Sequence, residues 1–227
     1  MTEGERGVWL DDATHREDLS TFVERALRLD DAAVIRLKER AGGFVVAWVN
    51  TGFDVLASRV IGGRVRPGDL SAGADALVAG LTAMDRSGFV EPGFAMDSSW
   101  RGALPPEAGF VHLDDVPARA VLELAQRGVA LAKEHSSAHG PPASLLDQEV
   151  VAVSSGDISV GIPMRCVFAL TAMAFLPQSG GAAGQLDPDS VAADEIVRVR
   201  VLPAWLRIDA RFGSVYRRRG DPAVVLR

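Results

Sequence analysis

Apolar and polar residues alternate with two different periods along the chain. Leu19, Phe22, Val23, Ala26 and Leu27 recur at helical spacing, so a helix is predicted at 15–29. Thr14 stands three residues before Glu17, a capping box that would satisfy two orphan amides at its start. Gly7–Leu10 reads as a short strand before it. A meander follows. Val34–Lys38 alternates, Gly42-Gly43 turns, Phe44–Val49 is apolar throughout, Asn50-Thr51-Gly52 turns again, and Phe53–Val60 alternates loosely. An apolar-throughout strand between two half-polar ones is expected to lie centrally, covered on both faces. Leu70, Ala74, Leu77, Leu81 and Met84 form a second helical stripe, with Asp69 or Ser71 as its cap and an end near Gly88.

Residues 89–114 hold Pro92, Gly93, Gly102, Pro105, Pro106 and Gly109 without a sustained period, and read as an ordered connector anchored by Phe94, Trp100 and Phe110. Asp114-Asp115 before Pro117 predicts a helix opening, and Val121, Leu124, Ala125, Gly128, Leu131 and Ala132 carry that helix to about Glu134. Strands are predicted at Glu149–Val153 and Ile158–Gly161. Met164–Leu176 is apolar on nearly every side, a helix central to a core that Pro177 stops. Gln178–Ala193 reads as a Gly- and Ala-rich surface loop.

The last segment carries the clearest strand signal. Val197, Val199 and Val201 alternate with Arg198 and Arg200. After Pro203 the phase flips, and Leu206, Ile208 and Phe212 alternate with Arg207, Asp209 and Arg211. This predicts a sheet with one dry face and one cationic face.

The order strand, helix, three strands occurs at 7–60 and again at about 149–219. Thr51–Arg59 aligns without a gap on Ala210–Arg218, sharing Phe53/Phe212, Leu56/Val215 and Arg59/Arg218. The fold class expected is α+β, mostly antiparallel sheet with about four helices; the repeated order is explained either by two related strand-helix-three-strand halves or by chance alignment of short strand patterns. The organisation expected is an N-terminal α+β unit at 1–88, an ordered connector at 89–114 and a C-terminal α+β unit with the basic strands at 115–227, with one continuous domain as the alternative.

Composition narrows the setting. With 48% apolar and 24% charged residues, the 227-residue chain can bury a real core. Cys166 is the single cysteine and cannot form an internal disulfide. Residues 1–20 are charged throughout, without the apolar run of a secretory signal, and the longest apolar run is far short of the ~20 residues of a membrane span. A bacterial, cytoplasmic protein is expected, with no membrane contact. Arg outnumbers Lys so heavily (Lys only at 38 and 133) that the position of a charge is informative and the choice of Arg is not. Eight Arg against two Asp give residues 196–227 a charge of +6, leaving −12 for residues 1–195. That segregation marks Arg198, Arg200, Arg207, Arg211, Arg217 and Arg218 as candidate binding residues.

Catalytic signatures are absent. His135 and His139 have the i, i+4 spacing of a zinc pair, but Ser136 stands where a zincin has its Glu, and Gly140-Pro141-Pro142 ends any helix there, so no metal and no cofactor is expected. Gly63-Arg-Val-Arg-Pro-Gly68 has phosphate-loop glycines without the Lys-Ser/Thr pair. Cys166 reads as a packed hydrophobe. Asp97, Ser99, Trp100 and Arg101, with His112, are pocket candidates. The functional reading is a non-catalytic binding or assembly module acting through the basic C-terminal sheet face. The alternative is a small-molecule enzyme or ligand-binding protein with a pocket in the 97–139 region. The partner expected is a second copy or an acidic protein, with nucleic acid disfavoured by the acidic total charge and the single Tyr216.

Overall fold

The computed structural model describes residues 6–135, 141–177 and 187–220. The chain divides into two units, the first comprising residues 1–52 and 56–104, the second 53–55 and 105–227. The boundary at Leu104/Pro105 falls inside the predicted connector.

Unit 1 contains β1 (Gly7–Leu10), α1 (Ala13–Leu29), β2 (Val34–Arg40), β3 (Phe44–Thr51), β4 (Val55–Arg66, entering the unit at Leu56), β5 (Asp69–Gly73), α2 (Ala74–Ala83) and β6 (Phe89–Val90). Its strands run in the order β5-β2-β3-β4, with β1 antiparallel to β4 and β6 antiparallel to β1. The alternation seen in the sequence sorts the faces. Ile35, Leu37, Val45, Ala47 and Val65 are buried, as are Leu19, Phe22, Val23 and Ala26 of α1 and Leu77 and Leu81 of α2. The two helices pack on one another.

Unit 2 contains β7 (Val111–Pro117), α3 (Ala118–His135), a single-turn α4 (Ala143–Leu146), β8 (Glu149–Ser155), β9 (Ile158–Pro163), α5 (Met164–Ala172), β10 (Ile196–Leu202), β11 (Trp205–Ala210) and β12 (Gly213–Arg218). The antiparallel order is β7-β10-β11-β12, and β8 and β9 form a separate hairpin. Every residue from Met164 to Leu170 is buried, so α5 is the core helix that its composition predicts. α3 packs against it.

The α+β class and the mostly antiparallel sheet agree with the sequence reading. The repeated order also holds: β1-α1-β2-β3-β4 at one end, β9-α5-β10-β11-β12 at the other. Phe53 and Phe212 sit at matching places, in the turns from β3 to β4 and from β11 to β12.

Three local expectations are corrected. The cap of α1 is Asp12, whose carboxylate accepts the His15 amide at 3.0 Å, two residues earlier than the Thr14 box. Asp69–Gly73 is strand β5 and not the start of a helix, because Leu70 and Ala72 pair with Leu37 and Ile35 of β2 and all four are buried. Asp114 and Asp115 lie in β7 opposite Val199 and Arg198, and the helix begins only at Ala118. Among the described residues no helix is long and apolar enough to cross a membrane.

Candidate functional site

The Arg-bearing strands of unit 2 form the predicted two-faced sheet: Val197, Val199, Leu206, Ile208 and Val215 are buried, and Arg198, Arg200, Arg207 and Arg218 stand on the other side, whereas Arg217, opposite Leu206, shares the buried face. Most of those arginines have carboxylate partners in the same unit. Asp209 accepts Arg207 Nε at 2.6 Å and Ser214 Oγ at 2.5 Å on one oxygen, and lies 3.4 Å from Arg200 Nε with the other. Arg211 pairs with buried Glu195, which raises the guanidinium's affinity for its proton through that hydrogen bond. Arg217 reaches Asp147 at 3.1 Å. Arg207 also lies over Phe110 and Tyr216, and Arg218 over Trp205. Arg198 is exposed and has no ion pair among the described residues.

A second cluster surrounds a buried arginine. Arg165, 8% exposed, donates to Asp147 through Nε at 3.1 Å and Nη2 at 2.5 Å, and to the Phe53 carbonyl at 2.6 Å. Beside it, burial pushes the Cys166 thiol up to about 12, against the opposing pull of Arg217 and Arg165. Such a thiol is a packing group and no nucleophile.

The pocket candidates separate. Asp97 anchors its loop by accepting the Ser71 amide at 2.8 Å. Ser99, Trp100 and Arg101 line a cavity of about 260 Å³ in unit 1, together with Asp30, Ala33 and Thr51. Arg36 lies 5.8 Å from the Trp100 ring and makes a two-pronged bond to Asp69 at 2.7 Å on each arm. That bond raises the Arg36 pKa. His112 belongs to unit 2, exposed on β7 with Nε2 2.9 Å from Asp115. A further cavity of about 480 Å³ in unit 2 is lined by Leu131, Pro142, Ser144, Leu145 and Gln148. His139 lies outside the described residues, and His135 ends α3. Among the described residues no group of three His, Cys, Asp or Glu is placed to hold a metal ion.

The helices carry cations that sequence reasoning passed over. Arg16, Arg25 and Arg28 on α1, and Arg127 and Lys133 on α3, have no ion pair among the described residues. Burial, and then the like charge of Arg28 one turn away, lowers the Arg25 pKa. Helical spacing alone made this pair findable.

Residues 105–222 match the family described as a domain of unknown function, DUF8185. The chain belongs to the DUF8185 family. Residues 3–102 match a second description of the same kind, DUF8010, and the two matches meet where the units divide. No curated protein matches the sequence. Solved structures do match in fold. A chain assigned as a DNA polymerase III beta subunit from Eubacterium rectale superposes with a TM-score of 0.59 at 10% identity, over 97% of this chain and 67% of that one. The DNA polymerase sliding clamp of Bacillus subtilis gives 0.55 at 11% identity, over 98% and 67%. The sliding clamp of Bartonella birtlesii, solved bound to griselimycin, gives 0.54 at 13% identity, over 96% and 66%. The DUF8185 chain thus spans about two thirds of the length of these clamps and shares their fold.

This likeness overturns the expectation that nucleic acid is a disfavoured partner. That expectation rested on total charge and on the single Tyr216, and the fold shared with DNA polymerase clamps stands against it. An acidic total does not report how cations are distributed or which of them are already paired.

Proposed function

We propose that this DUF8185 protein is a non-catalytic assembly module that holds duplex DNA through cations on its helices. The observation that carries the reading is a contrast in charge pairing. On the unit 2 sheet, Arg200, Arg207, Arg211 and Arg217 are each matched to a carboxylate, whereas Arg16, Arg25, Arg28, Arg127 and Lys133 on the helices are not. Only cations free of internal partners gain fully from phosphate, because a paired arginine must first lose its carboxylate. The clamp-like fold over nearly the whole chain supports the same reading.

The test is anisotropy of a labelled 20-base-pair duplex across a salt titration. Four or five phosphate contacts predict a slope of log K against log salt of about −4. Replacing Arg16, Arg28, Arg127 and Lys133 together by Glu should weaken binding at least tenfold and flatten that slope. Unchanged affinity and slope would refute the helical reading.

A second reading rests on the unit 1 cavity: its Trp100 wall and the neighbouring Arg101 suit a small ligand or an extended partner segment. Fragment screening by NMR should then shift Ala33, Thr51 and Trp100 together. Hits scattered over the surface would dismiss it.

A further inference from the structure

We infer that the sheet of unit 1 carries a separate site for single-stranded DNA, on the band formed by Arg40, Phe44, Arg64, Arg66, Trp9 and Phe89. The choice of DNA among polyanions rests on the reading of the chain as a DNA-associated module. The site itself rests on the geometry of the band.

The pairing of strands places these residues side by side. Arg40 and Phe44 are direct partners across β2 and β3. The tip of that hairpin lies against β4, where the Gly63 amide donates to the Gly43 carbonyl at 2.9 Å. Arg64 follows immediately, opposite Trp9 of β1, and Trp9 is opposite Phe89 of β6. Arg66 is opposite Gly7. Val65, between the two arginines, is 4% exposed and points into the core, so Arg64 and Arg66 project from the other side. Five strands at ~4.8 Å spacing make a band roughly 19 Å across, long enough for a few nucleotides. This also accounts for the Gly63–Gly68 stretch: it is the end of a long strand displaying two arginines, and not a phosphate loop.

The chemistry of the band alternates charge with ring. Arg64 lies 4.9 Å from the Trp9 centroid, and Trp9 meets Phe89 at 5.3 Å with the rings tilted. Phe44 is 44% exposed, a large apolar surface that the fold does not use. Arg40, Arg64 and Arg66 are exposed and have no ion pair among the described residues. The contrast with Arg36 is informative: that arginine also lies over a Trp, but Asp69 holds it. Rings set between free cations suit a polymer with both phosphates and unstacked bases, which is a single strand. In a duplex the bases are already stacked on one another and the rings would gain nothing.

The experiment uses the full chain with a labelled twelve-residue oligo-dT and, in parallel, the 20-base-pair duplex. Three phosphate contacts predict a salt slope of about −2 for the single strand. Replacing Arg40, Arg64 and Arg66 together by Gln should weaken oligo-dT binding at least tenfold, flatten that slope and leave duplex binding unchanged. Phe44→Ala, a surface change that spares the charges and the fold, should weaken oligo-dT by about fivefold or more. The Glu variant of the helix cations should do the reverse, losing duplex and keeping oligo-dT. Oligo-dT binding that survives both sheet variants would overturn the inference. So would an oligo-rU of equal length bound as tightly, which would make this an RNA surface. Duplex binding indifferent to the helix variant, with oligo-dT still sensitive to the sheet variants, would overturn the helical reading alone.

Discussion

Gly80→Ala should destabilise the protein although it improves an α-helix. Gly80 is buried in α2, where Ala is favoured over Gly by about 1 kcal/mol on intrinsic grounds. A Cβ there would stand 2.2 Å from the Glu91 carbonyl oxygen and 3.0 Å from Val90 Cγ1. The obstructing oxygen belongs to the backbone just after β6, and Val90 is fully buried and paired with Val8. Relief therefore requires α2 and that backbone to move apart by about 1 Å, an overpacking cost of ~1–3 kcal/mol or somewhat more. The net expectation is a loss of about 1–2 kcal/mol, or roughly 2–8 °C in Tm for a chain of this size. Gly128→Ala is the control. It too lies on a buried helical surface, but its Cβ would meet Met164 Sδ at 2.8 Å and the Phe168 ring at 2.9 Å, which are side-chain ends that can shift. Its net effect should stay within about 1 kcal/mol. Urea unfolding followed by far-UV circular dichroism measures both. A Gly80→Ala protein as stable as the parent would refute the close-approach argument, and so would equal losses in the two variants.

Asp147→Ala should cost about 1–3 kcal/mol, since it takes the nearest carboxylate from the buried Arg165 guanidinium while Asp147 itself is half exposed and the Phe53 carbonyl stays in place; a loss under about 0.5 kcal/mol in urea unfolding would contradict this. Cys166 should resist thiol reagents in the native protein. Its folded pKa, about 12, is raised above the ordinary 9.0, so the unfolded chain loses that proton first. The resulting stability is complete below pH 9 and falls by up to about 1.4 kcal/mol per unit between 9 and 12. Comparison with Cys166→Ala isolates the thiol's contribution, and parallel pH profiles for the two proteins would contradict it.

What the sequence made legible was whatever its local period encodes. Val197–Val201 and Leu206–Ile208 alternate cleanly, so β10 and β11 were readable with the change of phase at Pro203. Met164–Leu170 is apolar on all sides, and it is the core helix. The repeat was readable for the same reason, since element order survives divergence of individual residues. Misreadings arose where two periods coincide. Leu70, Ala74, Leu77 and Leu81 satisfy a helical spacing, yet Leu70 belongs to a strand whose only evidence is its partner, β2. Asp114 and Asp115 favour a helix start in isolation, but β10 recruits them. The state of the arginines was illegible on principle. Arg217 and Asp147 are 70 residues apart, and Arg211 and Glu195 are 16 apart. No local pattern announces such pairs. The same holds for Trp9, Arg64 and Phe89, which only strand register assembles into one band.

Asp209 provides the test of whether pairing is what closes the unit 2 sheet face to polyanions. Its carboxylate is 15% exposed and serves Arg207, Arg200 and Ser214 at once. Asp209→Asn keeps the shape and most of the hydrogen bonding but removes the charge. Two guanidiniums are then left side by side, since Arg200 and Arg207 face one another across β10 and β11. Their mutual repulsion and the lost charge-assisted bonds should cost about 1–3 kcal/mol. Once freed, both arginines are available to phosphate, so low-salt affinity for duplex DNA should rise several-fold and the salt slope should steepen by about 1–2 units. The two readouts diverge if the reasoning is wrong. A stability loss with DNA affinity and slope unchanged would mean that something other than Asp209 keeps this face from phosphate. The contrast between paired sheet and unpaired helices would then no longer support the helical reading.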